Sequence, residues 1–202
     1  MPDRSRSDSL RGRASGIIIG SLIAFGWAFY SLAVVSAPLR FPLIAAAGAI
    51  TAALLRSGLV VARRARALPG ADAEQKLVNR RAWRLFWLNL AAEIILLNLA
   101  LNLLNRAGAP EYLLPAISAI VGLHFWPMAW FFRVPGYWWV GGAMMAGAAV
   151  TTLLIAMDGA PVVPSIHGEG MLNAVILWLA LAVGAWACLR GDPRQQDSAT
   201  RG

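Results

Sequence analysis

The sequence predicts an all-α fold, a polytopic transmembrane helical bundle of six spans with both termini in the cytoplasm, and three observations predict it. Of its 202 residues, 58% are hydrophobic and only 14% are charged, whereas a soluble domain carries about 25% charged residues. The charges sit in short arginine-rich blocks between uncharged runs of the length, about 20 residues, that crosses a hydrocarbon core of roughly 30 Å. Those blocks also fall on alternate connections, which is how short loops fix orientation in a membrane.

Taken in order, the apolar runs place spans at about 16–35, 41–62, 83–104, 112–132, 136–157 and 171–189, between a basic N-terminal tail (1–15) and a C-terminal tail (190–202). The first run resembles a secretory leader, with Val35-Ser36-Ala37 as a cleavage-like site. It is longer than a leader's apolar region, and Pro38 directly after the site opposes processing, so a retained helix is expected. The link Arg133-Val134-Pro135-Gly136 is so short that spans four and five must be antiparallel neighbours. The connection from Arg63 to Ala82 reads as a turn at Leu68-Pro69-Gly70 followed by a short amphipathic helix.

With the N-terminus inside, all of the eighteen Lys and Arg residues except Arg40, Arg56 and Arg106 fall on the cytoplasmic side. Arg40 and Arg106 lie outside, and Arg56 lies within span two. Trp83, Trp87, Trp130, Tyr137, Trp138 and Trp139 gather at the cytoplasmic boundary, where amphipathic rings are favoured. The formal charge of +8 is therefore topogenic: no zinc-ligand, RNP or basic-zipper pattern accompanies it, and no nucleic-acid partner is expected. The expected partners are the lipid bilayer, an unknown small solute or ion, and a second copy or membrane protein. Gly16 and Gly20, Gly142 and Ala146, Ala143 and Gly147, and Ala180 and Gly184 supply the small-residue spacing that lets helices approach closely.

Few groups in the spans carry chemistry. A charged side chain in hydrocarbon costs about 2.5 to 3.5 kcal/mol on insertion scales, so Arg56, Glu93 and His124 require an account. Counting from the ends of the spans sets their depths close enough for one shared polar site. Asn89 shares a face with Glu93, four residues away, while Asn98, Asn102 and Asn105 define a second face. A helix polar on two sides is expected to be central, with Asn98 and Asn102 bonding to neighbouring helices. His124 precedes Pro127, which removes a backbone donor inside span four.

Other chemistry is poorly supported. Cys188 is the single cysteine, so neither an intramolecular disulfide nor a CxxC pair exists. His167-Gly168-Glu169 lies in a stretch read as an external loop, without the proline-cysteine partner of a zinc deaminase. HExxH, GxSxG, the P-loop and GxGxxG are absent. No catalytic residue, metal or cofactor is assigned.

The stretch from Gly122 to Tyr137, GLHFWPMAWFFRVPGY, resembles uncharacterised small multi-pass bacterial membrane proteins with a GLHFxPxA-type segment. The resemblance covers span four and its following turn. It implies a bacterial membrane protein and no particular reaction or ligand; the cytoplasmic membrane is the expected location.

Three functional readings follow. The first is transport or permeation of a small solute or ion through a polar cavity lined by Glu93 and His124, with Arg56 as charge partner; three spans on each side of the Arg106 loop suit an inverted plan, although the halves lack sequence symmetry. The second is a nonenzymatic scaffold or accessory subunit. An intramembrane enzyme is third, since no recognised nucleophile is present. The topology predicts that reporter fusions after Ala37, Ala107 and His167 read external, and that fusions near Pro69, Pro135 and the C-terminus read cytoplasmic. An external C-terminus would overturn the six-span plan.

Overall fold

A computed structural model describes residues 3–67, 73–132, 134–157 and 162–190. The described chain forms six α-helices: α1 (Asp3–Ser31), α2 (Ala37–Arg66), α3 (Ala73–Arg106), α4 (Leu113–Phe131), α5 (Gly136–Ala156) and α6 (Val162–Arg190). Each contains a segment long and apolar enough to cross a membrane. The chain is an integral membrane protein.

Two ends differ from the sequence expectation. The amphipathic lead into span three is continuous with it in α3, and the Leu68-Pro69-Gly70 turn lies outside the described residues. Helix α6 begins at Val162, not near Met171, so residues 162–169 of the stretch read as an external loop form its opening turns, and the rest of that stretch lies outside the described residues. Pro164 is tolerated there because the first turn of a helix lacks intrahelical partners for its amides anyway.

The connections are locally determined. After α1 a short 3-10 turn, Leu32–Val34, leads to Ser36 in an extended conformation, and Pro38 sits in the first turn of α2. Helix α3 is closed by Gly108, two residues past its end, whose φ of 67° favours glycine. The Gly108 amide donates to the Asn105 carbonyl at 3.2 Å and that of Ala109 to Leu104 at 3.0 Å, the paired closure of a Schellman motif.

Contacts at the helix ends define two ends of the bundle. At one, Arg64 donates to the Leu189 carbonyl at 2.8 Å, Arg13 lies 4.0 Å from the Cys188 sulfur, and Arg190 stacks on Trp186. These cations lie where carbonyls at the C-termini of α2 and α6 favour positive charge. At the other end Tyr30 stacks on His167, joining the end of α1 to the start of α6.

Helix α6 is the hub, packed against α1, α2, α4 and α5, whereas α3 packs chiefly on α4. This corrects the expectation that α3 is central: none of the residues in its span is buried. The core is built from small side chains of four helices, including Ala24, Ala28, Ala47 and Ala174, around Met144, Leu177 and Trp178.

The tightest crossings lie elsewhere than the small-residue pairs anticipated. A Cβ on Gly122 would come within 2.9 Å of the Gly141 carbonyl oxygen, and one on Gly141 would fall on the Gly122 carbonyl. Glycine at both positions lets α4 and α5 touch backbone to backbone. Gly142, by contrast, has open space beside it. Gly141→Ala is expected to destabilise the bundle by about 1 to 3 kcal/mol, with Gly142→Ala close to neutral, as measured by thermal unfolding in detergent. Equal behaviour of the two variants would contradict this crossing.

Candidate functional site

The structure brings together Asn89, Glu93 and His124 at the seam between α3 and α4. Glu93 lies ten residues beyond Trp83, or about 15 Å along the axis, which puts it deep in the span. Its Oε2 is 3.0 Å from His124 Nδ1, and the two side chains are only 14% and 11% exposed. Asn89 Nδ2 lies 3.0 Å from the same ring nitrogen and also 3.0 Å from the His124 backbone carbonyl. A carbonyl oxygen only accepts, so the amide nitrogen, not its oxygen, must face His124.

This arrangement gives His124 Nδ1 a partner in either protonation state. With a proton, it donates to the Glu93 carboxylate. Without one, its lone pair accepts the second Asn89 N–H. Phe86 and Phe125 set ring edges around the imidazole, with centroids 6.5 and 6.0 Å away. One turn further, Pro127 lies inside a helix that remains continuous to Phe131.

The other sequence candidates go elsewhere. Arg56 is exposed on α2, a helix that packs against α1 and α6, and makes no ion pair with Glu93. Its expected role as charge partner is therefore corrected. Asn98 donates to the Ile94 carbonyl and Asn102 to the Asn98 carbonyl, each at 2.8 Å. Their amides are satisfied one turn back on α3 instead of on a neighbouring helix, which corrects their expected role as interhelical bonds and explains how they stand exposed on α3.

A second polar cluster was hidden by the misplaced start of α6. Glu169 is 3% exposed, and Asn173, one turn further along the same face, is fully buried. Asn173 Nδ2 donates to Ser118 Oγ of α4 at 2.7 Å. The hydroxyls of Ser118 and of Thr151 on α5 lie beside the Glu169 carboxylate. Even so, both Glu169 carboxylate oxygens, Thr151 Oγ1 and Asn173 Oδ1 are buried without a partner in hydrogen-bonding geometry. Gly170 makes the cluster compact, because a Cβ there would strike Ser31 Oγ of α1. The signal in the sequence was the i, i+4 spacing of Glu169 and Asn173, legible only once the helical period is carried back through Ile166 to Val162.

Fold and site together define a six-span helical membrane protein with two polar clusters among its described residues, both inside the spans. Residues 85–183 are similar to a family described as a family of unknown function (DUF7010); this stretch contains every residue of both clusters. No curated protein and no solved structure matches the chain.

The two classes of asparagine should respond oppositely to removal of the amide. Asn89→Leu is expected to cost about 1 kcal/mol, the scale of an interhelical hydrogen bond in lipid, whereas Asn98→Leu should cause no loss. Unfolding titrations of the two variants check this, and a larger loss for Asn98→Leu would refute the assignment.

Proposed function

We propose that the protein moves a small solute or ion across the cytoplasmic membrane of a bacterium and exchanges protons at the His124–Glu93 pair. The observation that carries this reading is the double provision at His124 Nδ1, with an acceptor for its proton on one side and a donor for its lone pair on the other, both at 3.0 Å. A purely structural contact needs only one of these. Ionisable groups inside spans mark substrate and ion pathways and proton relays.

Helix α4 suits such a role. It carries His124, Ser118 and Pro127, so a change of proton at the seam with α3 acts on the same helix that meets α5 and α6. Since α3 packs chiefly on α4, its displacement would expose the pair without dismantling the core.

Proteoliposomes containing the full chain and an internal pH-sensitive dye test the proposal. Under an imposed potassium-valinomycin potential, protein-dependent proton movement is expected, reduced by about tenfold or more in His124→Ala and altered in pH dependence in Glu93→Gln. The scaffold reading predicts no flux and variants that differ only in folding or association. That result would end the transport proposal.

A further inference from the structure

We infer that Glu169, Asn173, Thr151 and Ser118 form a binding site for a dehydrated monovalent cation, with Na+ as the reference ion. The site is distinct from the His124–Glu93 pair and does not depend on proton exchange there. Its basis is a mismatch of donors and acceptors. Three helices deliver a carboxylate, two hydroxyls and an amide to one buried place, and the amide's N–H is directed at Ser118. Four oxygens then stand without a partner in hydrogen-bonding geometry, although the Ser118 and Thr151 hydroxyls lie beside the carboxylate: both from Glu169, Oγ1 of Thr151 and Oδ1 of Asn173.

A buried carboxylate without a counter-charge is among the costliest arrangements in a protein. Among the described residues no basic side chain pairs with Glu169. His167, two positions away, stacks on Tyr30 with centroids 4.7 Å apart, and its Nδ1 is 3.1 Å from the Tyr30 carbonyl oxygen. It is therefore directed at α1.

The chemistry of the donors selects the ligand class. All are hard oxygens, and neither a thiolate nor an imidazole is among them, which disfavours transition metals. A single carboxylate balances a single positive charge. Ca2+ or Mg2+ on the same set would leave a net charge buried between helices, and Mg2+ also surrenders its water reluctantly. A neutral site made from one carboxylate and uncharged oxygens suits Na+ or a close monovalent relative. Glu169 lies seven residues into α6, about 10 Å from its start, so an ion has a short route from that end of the bundle. Ser118 and His124 are six residues apart on α4, about 9 Å along its axis, which places the cation and the proton site on one rigid element.

The test uses the purified full-length chain in detergent, with NaCl exchanged for choline chloride at constant ionic strength. Thermal unfolding should show a saturable rise of about 5 °C at a hundredfold excess of Na+ over its Kd. Radioactive sodium should bind at about one ion per chain. Glu169→Gln should abolish the rise and the binding, Thr151→Val should weaken the apparent affinity by about tenfold, and Gly142→Ala should leave both unchanged. If Glu169→Gln does not purify folded, Thr151→Val and sodium binding to the native chain decide the matter. Stabilisation by Li+ or K+ in place of Na+, with the same dependence on Glu169, supports the monovalent class.

The inference is overturned if no monovalent cation stabilises the native chain above choline, or if Ca2+ does so equally well. It also falls if Glu169→Gln retains the full rise; a response to pH alone assigns the carboxyl a proton instead. Cation binding without proton flux in proteoliposomes leaves this site standing and removes the proposed transport, while flux without cation binding does the reverse.

Discussion

Hydrocarbon offers no hydrogen bonds, so a polar side chain within a span is satisfied by the protein or by something bound to it, and the organisation of this bundle can be derived from where the protein partners are. The least demanding solution is local. Ser21, Ser31 and Ser57 each donate to the carbonyl four residues earlier, and Asn98 and Asn102 do the same with their amides. Such residues impose no neighbour. A few others cannot be satisfied within one helix, and these set the interhelical architecture: Asn89 and Glu93 hold α3 to α4 through His124, while Asn173 joins α6 to α4 through Ser118.

Helix α4 is thus the shared element. It contacts α5 through glycine at Gly122 and Gly141, where backbone meets backbone, and it reaches α3 and α6 through side-chain polarity. The close α4–α5 contact leaves little freedom between those two helices, whereas the α3 seam rests on one polar group and a row of ring edges. Rigidity on one side and a single latch on the other give α4 two mechanically different faces.

Much of this was legible in the sequence. Length and apolarity located all six helices, and the positions of Asn89, Glu93 and His124 on two long runs suggested the groups that meet. The failures have identifiable physical causes. Asn98 and Asn102 looked like contacts because helical spacing reveals which residues share a face but not whether an amide folds back on its own helix. Counting along the spans sets Arg56 close enough in depth to Glu93 for a shared site, yet depth carries no information about which helices are neighbours. Glu169 reads as solvated in the sequence because Pro164, Gly168 and Gly170 all depress helix propensity, and tertiary packing of α6 against α1 overrides that preference. An error of nine residues at one helix start concealed the most deeply buried carboxylate among the described residues.

Helices α4 and α5 have 19 and 21 residues, whereas α2 has 30 and α6 has 29. At 1.5 Å per residue the shorter pair spans about 29 to 32 Å, close to the hydrocarbon thickness, while the longer ones exceed 40 Å. Long helices absorb a change of bilayer thickness by tilting, but a pair already matched to it has little slack. Ser118, His124 and Thr151 all belong to that short hairpin. Acyl-chain length therefore bears most directly on the part of the molecule where both polar clusters are assembled, making the lipid itself a determinant of their geometry.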